Sequence, residues 1–444
     1  LAPERPAMTH VWRAPGETAC VVALKGAPEA VATLCRLGEA ERAALHQHAE
    51  AMAARGLRVL AVARAVFDGG AWPDDPGGFA FAWLGLVALA DPLRAGVPAA
   101  VQECRDAGIR VLMITGDHPA TARAIAVQAG LDGHAAPITG DRIDTMDEAT
   151  LRARLTGNPV FARIRPEQKL RIVQALKSAG EVVAMTGDGV NDAPSLKAAH
   201  IGVAMGARGT DVAREAAALV LLDDDFGSIV RAVRLGRRIY DNVRKAMRFV
   251  LAVHVPIAGL ALLPLLFGLP MILTPVHIAV LELLIDPACS VVFEAEEEEA
   301  DIMRRPPRDP AASLFSVGML VGATLQGALV LLAVGGFYVV LLHARVAAGQ
   351  ARAATFVALV ACILMLIVSN RSFAGSLPAS LRRPNPMLWC MVAGTVAFLA
   401  LVLAVAPLRA QFGFELPSAG LLGSTAVLAG TVLLLLEAAK RQRA

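Results

Sequence analysis

Six apolar runs follow residue 246, and they restrict the fold of this chain more than any other feature. A transmembrane α-helix needs about 20 predominantly apolar residues to cross the hydrocarbon core of a bilayer. Each run is close to that length: residues 247–268, 272–293, 314–342, 354–373, 387–409 and 417–438. They make the chain 56% hydrophobic, which is too apolar for a purely soluble protein. The second part of the chain is therefore predicted to be a bundle of six transmembrane helices.

Positive charge beside these runs predicts how the bundle is oriented. Lysine and arginine concentrate on one side of it, at residues 237–248, 304–308, 382–383 and 440–443. Since segments rich in these residues stay in the cytosol, both ends of the membrane region are expected to be cytosolic. The part of the chain that precedes the membrane region is then expected to lie in the cytosol too.

Charge and cysteine content argue against several other classes of protein. The formal net charge is only +3, which gives no indication of a nucleic-acid partner. The six cysteines are scattered and include no C-x-x-C pair. This usage argues against a disulfide scaffold or a structural zinc site, and it suits a reducing compartment.

Residues 1–235 alternate between strand-like and helix-like segments. Short apolar runs at 109–114, 182–185, 201–205 and 217–222 alternate with helical patterns such as 97–107 and 119–129. This alternation predicts a parallel, doubly wound α/β sheet. In such sheets, ligands bind at the carboxyl ends of the strands.

The stretch EVVAMTGDGVNDAPSLKAA, residues 181–199, places polar residues at one of these strand ends. Asp188, Asn191 and Asp192 lie where an apolar strand turns into a helix. A few carboxylates with water and phosphate form the ligand set that Mg²⁺ prefers. By themselves, the three residues GDG indicate no more than an ordinary turn.

The longer string TGDGVNDAPSLKAA resembles the hinge motif of P-type cation-transporting ATPases, a branch of the haloacid dehalogenase-like superfamily. The resemblance implies a haloacid dehalogenase-like α/β domain, a partial nucleotide-binding domain and a six-helix transmembrane bundle. It implies these parts at residues 1–90 (nucleotide-binding), 91–228 (phosphorylation domain without its first strand), 229–246 (stalk) and 247–444 (membrane). It also implies ATP and Mg²⁺ as ligands, an inorganic cation as cargo, and the plasma membrane of a bacterium as location.

Two further motifs fall in the family's order along the chain. Thr115, Gly116 and Asp117 follow a strand and precede a helix, where free N–H groups favour phosphate. The resemblance implies that Thr115 holds the transferring phosphoryl group and that Lys169, in FARIRPEQK, stabilises its oxygens. Asn191 would support the magnesium site. Taken singly, TGD is common in turns, and a lysine that opens a helix is usually just solvated.

Several residues of the first 165 resemble nucleotide-contacting positions of the family. Lys25, in KGAPE, would line the adenine pocket, and Arg58 would contact the ATP phosphates, although it could equally be a solvated arginine at a strand start. Asp91 and Arg94, in an Asp-Pro-x-Arg string, and Arg163 complete the set that the resemblance implies.

Ionisable residues within the apolar runs give a second chemical signal. Glu282 and Asp286 are four residues apart, so a helix presents both on one face. Carboxylates within a span are costly and usually mark an ion path. The resemblance implies that Asp286 binds the transported cation, whereas a hydrogen bond between buried acids is the alternative.

The residues after Asp286 give two further predictions. Pro287 predicts an unwound backbone with freed carbonyls, and the acidic run at 294–299 predicts a solvated loop.

The cation cannot be assigned from these residues. The preceding span offers His254, and at a second liganding position Ile257, where calcium pumps carry polar groups. A histidine favours borderline transition metals or a proton role, but His254 could also be a packed intramembrane residue. A heavy-metal pump is disfavoured, because the chain lacks a Cys-Pro-Cys membrane motif.

The phosphorylated aspartate of the family, in its DKTGT string, does not occur among the 444 residues. The resemblance therefore covers the C-terminal half of a pump. We expect this chain by itself to bind Mg²⁺ and, weakly, nucleotide, but not to form an aspartyl-phosphate. The alternatives are one half of a split pump that needs an N-terminal fragment as partner, an inactive remnant, and a membrane-anchored haloacid dehalogenase-like phosphatase.

Overall fold

The computed structural model describes residues 6–69, 71–373 and 377–441 and divides into two compact units. Unit 1 comprises Leu1–Ala232 with Met303–Pro307, and unit 2 comprises Val233–Ile302 with Arg308–Ala444. Unit 1 contains every strand of the described chain, and unit 2 is helical.

Unit 1 begins with a four-stranded antiparallel sheet in the order β1-β2-β3-β4. Its strands are β1 (Ala7–Arg13), β2 (Cys20–Gly26), β3 (Arg58–Phe67) and β4 (Ala82–Leu89), and helices α1 (Pro28–Leu34) and α2 (Glu39–Ala53) connect β2 to β3. Cys20, Val22 and Leu24 are buried while Lys25 is exposed, which is the alternation of a strand with one covered face. The buried face packs against α1, with Val31 at the centre of the contact.

The rest of unit 1 is an α/β domain with two parallel three-stranded sheets. One has the order β5-β7-β6 and the other β10-β9-β8. The strands are β5 (Met113–Ile114), β6 (Ile138–Thr139), β7 (Val160–Ala162), β8 (Ala184–Gly187), β9 (Ile201–Met205) and β10 (Leu219–Leu221). The helices are α3 (Val97–Asp106), α4 (Pro119–Gln128), α5 (Gly140–Thr145), α6 (Glu148–Gly157), α7 (Pro166–Ser178), α8 (Ala193–Ala198) and α9 (Asp211–Ala216).

Strand β5 is much shorter than the apolar run at 109–114 predicted. The reason lies at the end of α3, where Gly108 has a φ of 70° and Ile109 N donates to Cys104 O at 2.8 Å. These two features form a Schellman cap. The cap holds Ile109 against the helix, so the strand begins only at Met113.

Among the described residues, six helices are long and apolar enough to span a membrane, and all of them lie in unit 2 except for the first seven residues of the first helix. They are α10 (Phe226–Phe267), α11 (Pro275–Pro287, continued by one π-helical turn to Val292), α12 (Val317–His343), α13 (Ala348–Asn370), α15 (Pro386–Ala404) and α17 (Ala419–Arg441). Two short helices, α14 (Leu377–Arg382) and α16 (Ala406–Gln411), flank α15. The predicted combination of a parallel α/β domain with six membrane helices is confirmed. Helix α13 is the most deeply packed of the six and lies against α12 and α17.

The predicted stalk and first span form one continuous helix of 42 residues. At 1.5 Å per residue, α10 is about 63 Å long. The predicted division at residue 246 follows a change from basic to apolar composition, and both compositions are compatible with a helix. Pro256 and Pro264 lie inside α10.

Two predictions for the region after Glu282 are wrong. The backbone at Pro287 is not unwound, because α11 continues through it into the π-helical turn, and Ser290 Oγ donates to Asp286 O at 2.7 Å. The acidic run is not a solvated loop either, because Glu296 and Glu299 are only 1% and 9% exposed. Their cationic partners are distant in sequence and are described below.

Gly327 tests the close packing of α12 on α10. A Cβ at this position would lie 2.4 Å from Ala252 O and 2.6 Å from Val255 Cβ, so α10 and α12 meet through a glycine. Gly327→Val should lower the free energy of unfolding by about 1–3 kcal/mol, the usual cost of overpacking. Gly336→Val on the same helix is the matched control, because a Cβ there meets no atom within 4 Å. Thermal unfolding in detergent measures both, and equal stability of the two variants would contradict the packing described.

Candidate functional site

Thr115, Gly116 and Asp117 form a tight turn at the carboxyl end of β5. Thr115 Oγ1 donates to Asp117 Oδ2 at 2.9 Å, and Asp117 N donates to Thr115 Oγ1 at 3.1 Å. Thr115 N donates to Phe161 O at 2.9 Å, which fixes the turn against β7. The hydroxyl is therefore held at the edge of the sheet where parallel α/β folds bind ligands.

Arg58 lies beside this turn. Its Nε is 3.9 Å from Asp117 Oδ1, and both side chains are partly exposed to solvent. Thr121 Oγ1 donates to Leu57 O at 3.0 Å, so the start of β3 is tied to α4. The antiparallel sheet therefore contributes a guanidinium to the strand-end edge of the α/β domain.

Lys169 and Asp192 form a buried ion pair. Lys169 Nζ lies 2.5 Å from Asp192 Oδ1, and the two side chains are 18% and 9% exposed. Asp192 Oδ2 also accepts from Gly189 N at 3.3 Å. A Cβ on Gly187 would lie 2.5 Å from Asp192 Cβ, so only glycine allows this approach. The carboxylate thus fixes the ammonium group of Lys169 at the end of β8.

The two carboxylates predicted as magnesium ligands have different surroundings. Asp188 is exposed, and its backbone carbonyl accepts from Thr210 N at 2.9 Å. Asp192 is buried and engaged with Lys169. Asn191 is exposed. Within the described chain, no three His, Cys, Asp or Glu side chains gather closely enough to hold a metal unaided. The donor set fits Mg²⁺, which needs only one or two carboxylates with phosphate and water.

Arg163 joins the KGAPE turn to the Thr115 turn. Arg163 Nη2 donates to Glu29 Oε1 at 2.6 Å, and Arg163 N donates to Asp117 O at 3.0 Å. Arg163 has a φ of 50°, an uncommon value for a non-glycine residue. Burial raises the pKa of Glu29, but a backbone N–H and the Arg163 guanidinium lower that pKa more, so it lies below its usual value.

Glu29 and His118 are site neighbours that the sequence motifs did not single out. Burial lowers the pKa of His118, and the nearby Arg163 guanidinium lowers it further. His118 Nδ1 accepts from Ala120 N at 3.3 Å and caps α4. The sequence could have indicated both residues through their position beside a motif, because Glu29 ends KGAPE and His118 directly follows Asp117.

Lys25, Asp91 and Arg94 lie outside this cluster of contacts. All three side chains are exposed. Within the described part of the chain, no hydrogen bond or ion pair joins them to Thr115, Lys169 or Asp192. A cavity of about 370 Å³, lined by Arg110, Leu155 and others, opens where β5 and β7 begin, and so lies at the other end of the strands from Thr115.

His254 and Glu282 come together within the membrane helices of unit 2. His254 Nε2 is 3.8 Å from Glu282 Oε1, and both side chains are about half exposed. His254 Nδ1 lies 2.8 Å from Val250 O. Because a carbonyl only accepts, Nδ1 carries the proton in the neutral ring, and Nε2 presents its lone pair. Asp286 follows one turn later on α11 and is exposed.

The fold and both sites define a haloacid dehalogenase-like hydrolase domain joined to a multi-pass membrane bundle. The family model for haloacid dehalogenase-like hydrolases matches residues 5–200, and that for the cation transporting ATPase C-terminus matches residues 270–442. The chain belongs to the P-type cation-transporting ATPase family, as its motifs predicted.

Named relatives agree with this assignment. Probable cation-transporting ATPase F of Mycobacterium tuberculosis is 42% identical over 324 residues, which cover 69% of this chain and 35% of that protein. Calcium-transporting ATPase of Bacillus subtilis is 41% identical over 280 residues, 63% of this chain and 31% of that protein. Sodium/potassium-transporting ATPase subunit alpha-1 of Oreochromis mossambicus is 37% identical over 352 residues, 68% and 34% respectively. The chain thus matches about a third of each of these relatives.

Gly187 provides a test of the Lys169–Asp192 geometry. In Gly187→Ala, the new methyl group must displace Asp192, so the free energy of unfolding should fall by about 1–3 kcal/mol. Gly189→Ala is the control, since the nearest atom to its Cβ would be Asp192 Oδ2 at 3.6 Å, an ordinary contact. Denaturant unfolding compares the two variants. If Gly187→Ala were as stable as Gly189→Ala, the close approach of Asp192 would be incorrect.

Proposed function

We propose that the natural protein containing this chain transports an inorganic cation across a membrane at the expense of ATP. In this proposal an aspartyl-phosphate forms on an aspartate outside these 444 residues, because the DKTGT string does not occur among them. The observation that carries the proposal is the pairing of His254 with Glu282 at 3.8 Å within the membrane helices of a P-type ATPase chain. A membrane anchor for a phosphatase would have no use for that pair.

Thr115 and Lys169 act on the transferring phosphoryl group in this proposal. Catalysis of phosphoryl transfer depends on positioning and on electrostatic stabilisation of the phosphoryl oxygens. The Thr115 hydroxyl is fixed by Asp117 and by the Gly116 turn, and the Lys169 ammonium is fixed by Asp192. Because these groups are already held in place, little reorganisation is needed when charge develops.

Mg²⁺ would be held by Asp188, whose carboxylate is the accessible one, with Asn191 and phosphate oxygens close by. When bound, the ion neutralises phosphate charge. Asp192 would support this site together with Asn191, and its carboxylate is paired with Lys169. It positions the lysine and adds negative charge close to the ion.

ATP would lie along the edge of unit 1 that carries Arg58 and Arg163. Arg58 is placed to contact phosphate, since a guanidinium matches phosphate geometry and this one lies beside Asp117. Arg163 organises the KGAPE turn through Glu29, and Lys25 at the end of β2 would reach the base. Asp91 and Arg94 are exposed, so any contact with nucleotide would form only in its presence.

The cation would bind between α10 and α11, at His254, Glu282 and Asp286. Calcium prefers ligand sets made only of oxygen, whereas an imidazole lone pair suits borderline transition metals. Relatives named as calcium pumps support cation transport as such, but His254 favours a transition-metal divalent ion, or a proton, over calcium. The arginine clusters support a cytosolic position for unit 1.

A split pump is the second candidate. The aspartate would then be supplied by a separate N-terminal fragment that associates with this chain. Copurification of such a fragment from the source organism would support this arrangement.

Lys169→Met tests the phosphoryl-transfer role in the natural protein. Loss of the ammonium group should lower the rate of ATP hydrolysis by about 100-fold or more, the usual cost of removing one preorganised charge. Lys177→Met is the matched control, because this lysine of the same helix donates to Ala198 O and should leave the rate within about twofold. Equal rates for the two variants would remove Lys169 from the active site.

A further inference from the structure

The acidic segment, residues 294–301 (EAEEEEAD), is partly buried although it carries mostly carboxylates. Glu296 and Glu299 are 1% and 9% exposed, while Glu294 and Glu297 face solvent. The segment follows the π-helical turn that ends α11, the helix with Glu282 and Asp286. Burying carboxylates is expensive unless they are paired, so the partners of the two buried residues indicate what the segment does.

Glu296 joins the end of α13 to the start of α15. Arg371 Nε donates to Glu296 Oε1 at 2.6 Å, and Asn385 Nδ2 donates to the same oxygen at 2.5 Å. Arg371 is itself 1% exposed, and its Nη2 donates to Arg383 O at 3.0 Å. Asn385 also caps α15 by accepting from Leu388 N at 3.0 Å.

Glu299 joins the same region to α10. Lys245 Nζ, fully buried on α10, lies 2.9 Å from Glu299 Oε1. Arg383 Nη1 lies 3.0 Å from Glu299 Oε2, and Ser372 Oγ donates to that oxygen at 3.2 Å. Burial raises the pKa of Glu299, but Lys245 and Arg383 lower it more, so this pKa lies below its usual value. Glu299 is therefore ionised at neutral pH.

Three more residues of α10 contact the acidic segment or Ile302 just after it, over about two helical turns. Arg234 Nη1 lies 2.7 Å from Glu298 Oε1, and Arg237 Nη1 donates to Ile302 O at 2.8 Å. Asn242 Nδ2 donates to Glu296 O at 2.9 Å. The acidic segment is thus fixed to α10 on one side and to α13 and α15 on the other.

Stability alone does not explain this network. A buried ion pair often contributes no more than a well-packed apolar pair of the same size. Among the described atoms, Glu296 Oε2 and Arg371 Nη1 are buried without a hydrogen-bond partner, which adds a cost. The network instead fixes the positions of the segments that it joins, because each hydrogen bond and ion pair forms only over a narrow range of distances and angles.

We propose that Glu296, Arg371 and Asn385 anchor the acidic segment, and that this anchor fixes α10 relative to α11. The anchor thereby holds His254 against Glu282, and the three residues are positioning residues for cation binding. The link to cation binding rests on the proposed transport function. The mechanical part of the proposal, that the acidic segment holds α10 in place, does not depend on the transport function.

The first test measures the mechanical part on this chain in detergent. The double variant Glu296→Leu/Arg371→Met removes both charges together, so no buried charge is left unpaired and the fold should persist. Amide hydrogen exchange at residues 237–248 and 294–301 should become about tenfold faster, because the anchor no longer restrains them.

The matched control is Glu437→Leu/Lys440→Met. This pair is also buried, at 9% and 7% exposure of its side chains, with Lys440 Nζ 2.9 Å from Glu437 Oε1. It ties α17 to Ser369 on α13 and, among the described residues, makes no hydrogen bond or ion pair with the acidic segment. Exchange at 237–248 should stay unchanged in the control. Unchanged exchange in the anchor variant, or equal acceleration in both variants, would overturn the proposal.

The second test uses ATP hydrolysis by the natural protein. The anchor variant should raise the cation concentration for half-maximal activity by about tenfold, with a smaller change in kcat, because cation binding is what is misaligned. Glu297→Gln, an exposed residue of the same segment, should change neither. A fall in kcat alone would overturn the positioning role. Wild-type hydrolysis that no cation stimulates would instead reject the proposed function, and the exchange experiment would still decide the anchor.

Discussion

The cost of burying charge organises both units of this protein. In unit 1, Asp192 can be buried because Lys169 lies 2.5 Å from it, and that pairing places an ammonium group at the end of β8. In unit 2, Glu296 and Glu299 are buried because Arg371 and Lys245 neutralise them. Each of these pairs joins residues that are distant in sequence, so the segments that carry them must lie side by side in the fold. The Lys169–Asp192 pair and the anchor of the acidic segment therefore follow from the same electrostatic requirement.

The local sequence pattern predicted helices and strand ends well where one physical factor determines them. The apolar runs identified all six membrane helices of the described chain, because the bilayer sets their length. The turn glycines and polar residues around Thr115 and Asp188 correctly marked strand ends, because a tight turn into a helix needs those residue types. The Lys169–Asp192 contact is consistent with the motif order, but its distance and burial required the three-dimensional structure.

Predictions were wrong where distant contacts decide the local structure. The acidic run looks solvated in sequence, yet Glu296 meets Arg371, 75 residues away. Pro287 is a different case, because it is accommodated locally by a π-helical turn in which Ser290 donates to the Asp286 carbonyl. The link between Glu29 and Arg163 spans 134 residues and has no local signature. No periodicity or composition reports contacts at such separations, so these features depend on the complete fold.

We propose that ATP hydrolysis, at a site to which unit 1 contributes Thr115 and Lys169, drives cation movement through unit 2. The most direct measurement is ATP-dependent accumulation of Mn²⁺, with Ca²⁺ in parallel, in vesicles that contain the natural protein and its Asp286→Asn variant. Wild-type vesicles should accumulate cation when ATP is supplied, with Mn²⁺ preferred because of His254, and vesicles with Asp286→Asn should not. Phosphatase activity that persists in the variant, without accumulation of any cation by the wild type, would rule out ATP-driven cation transport.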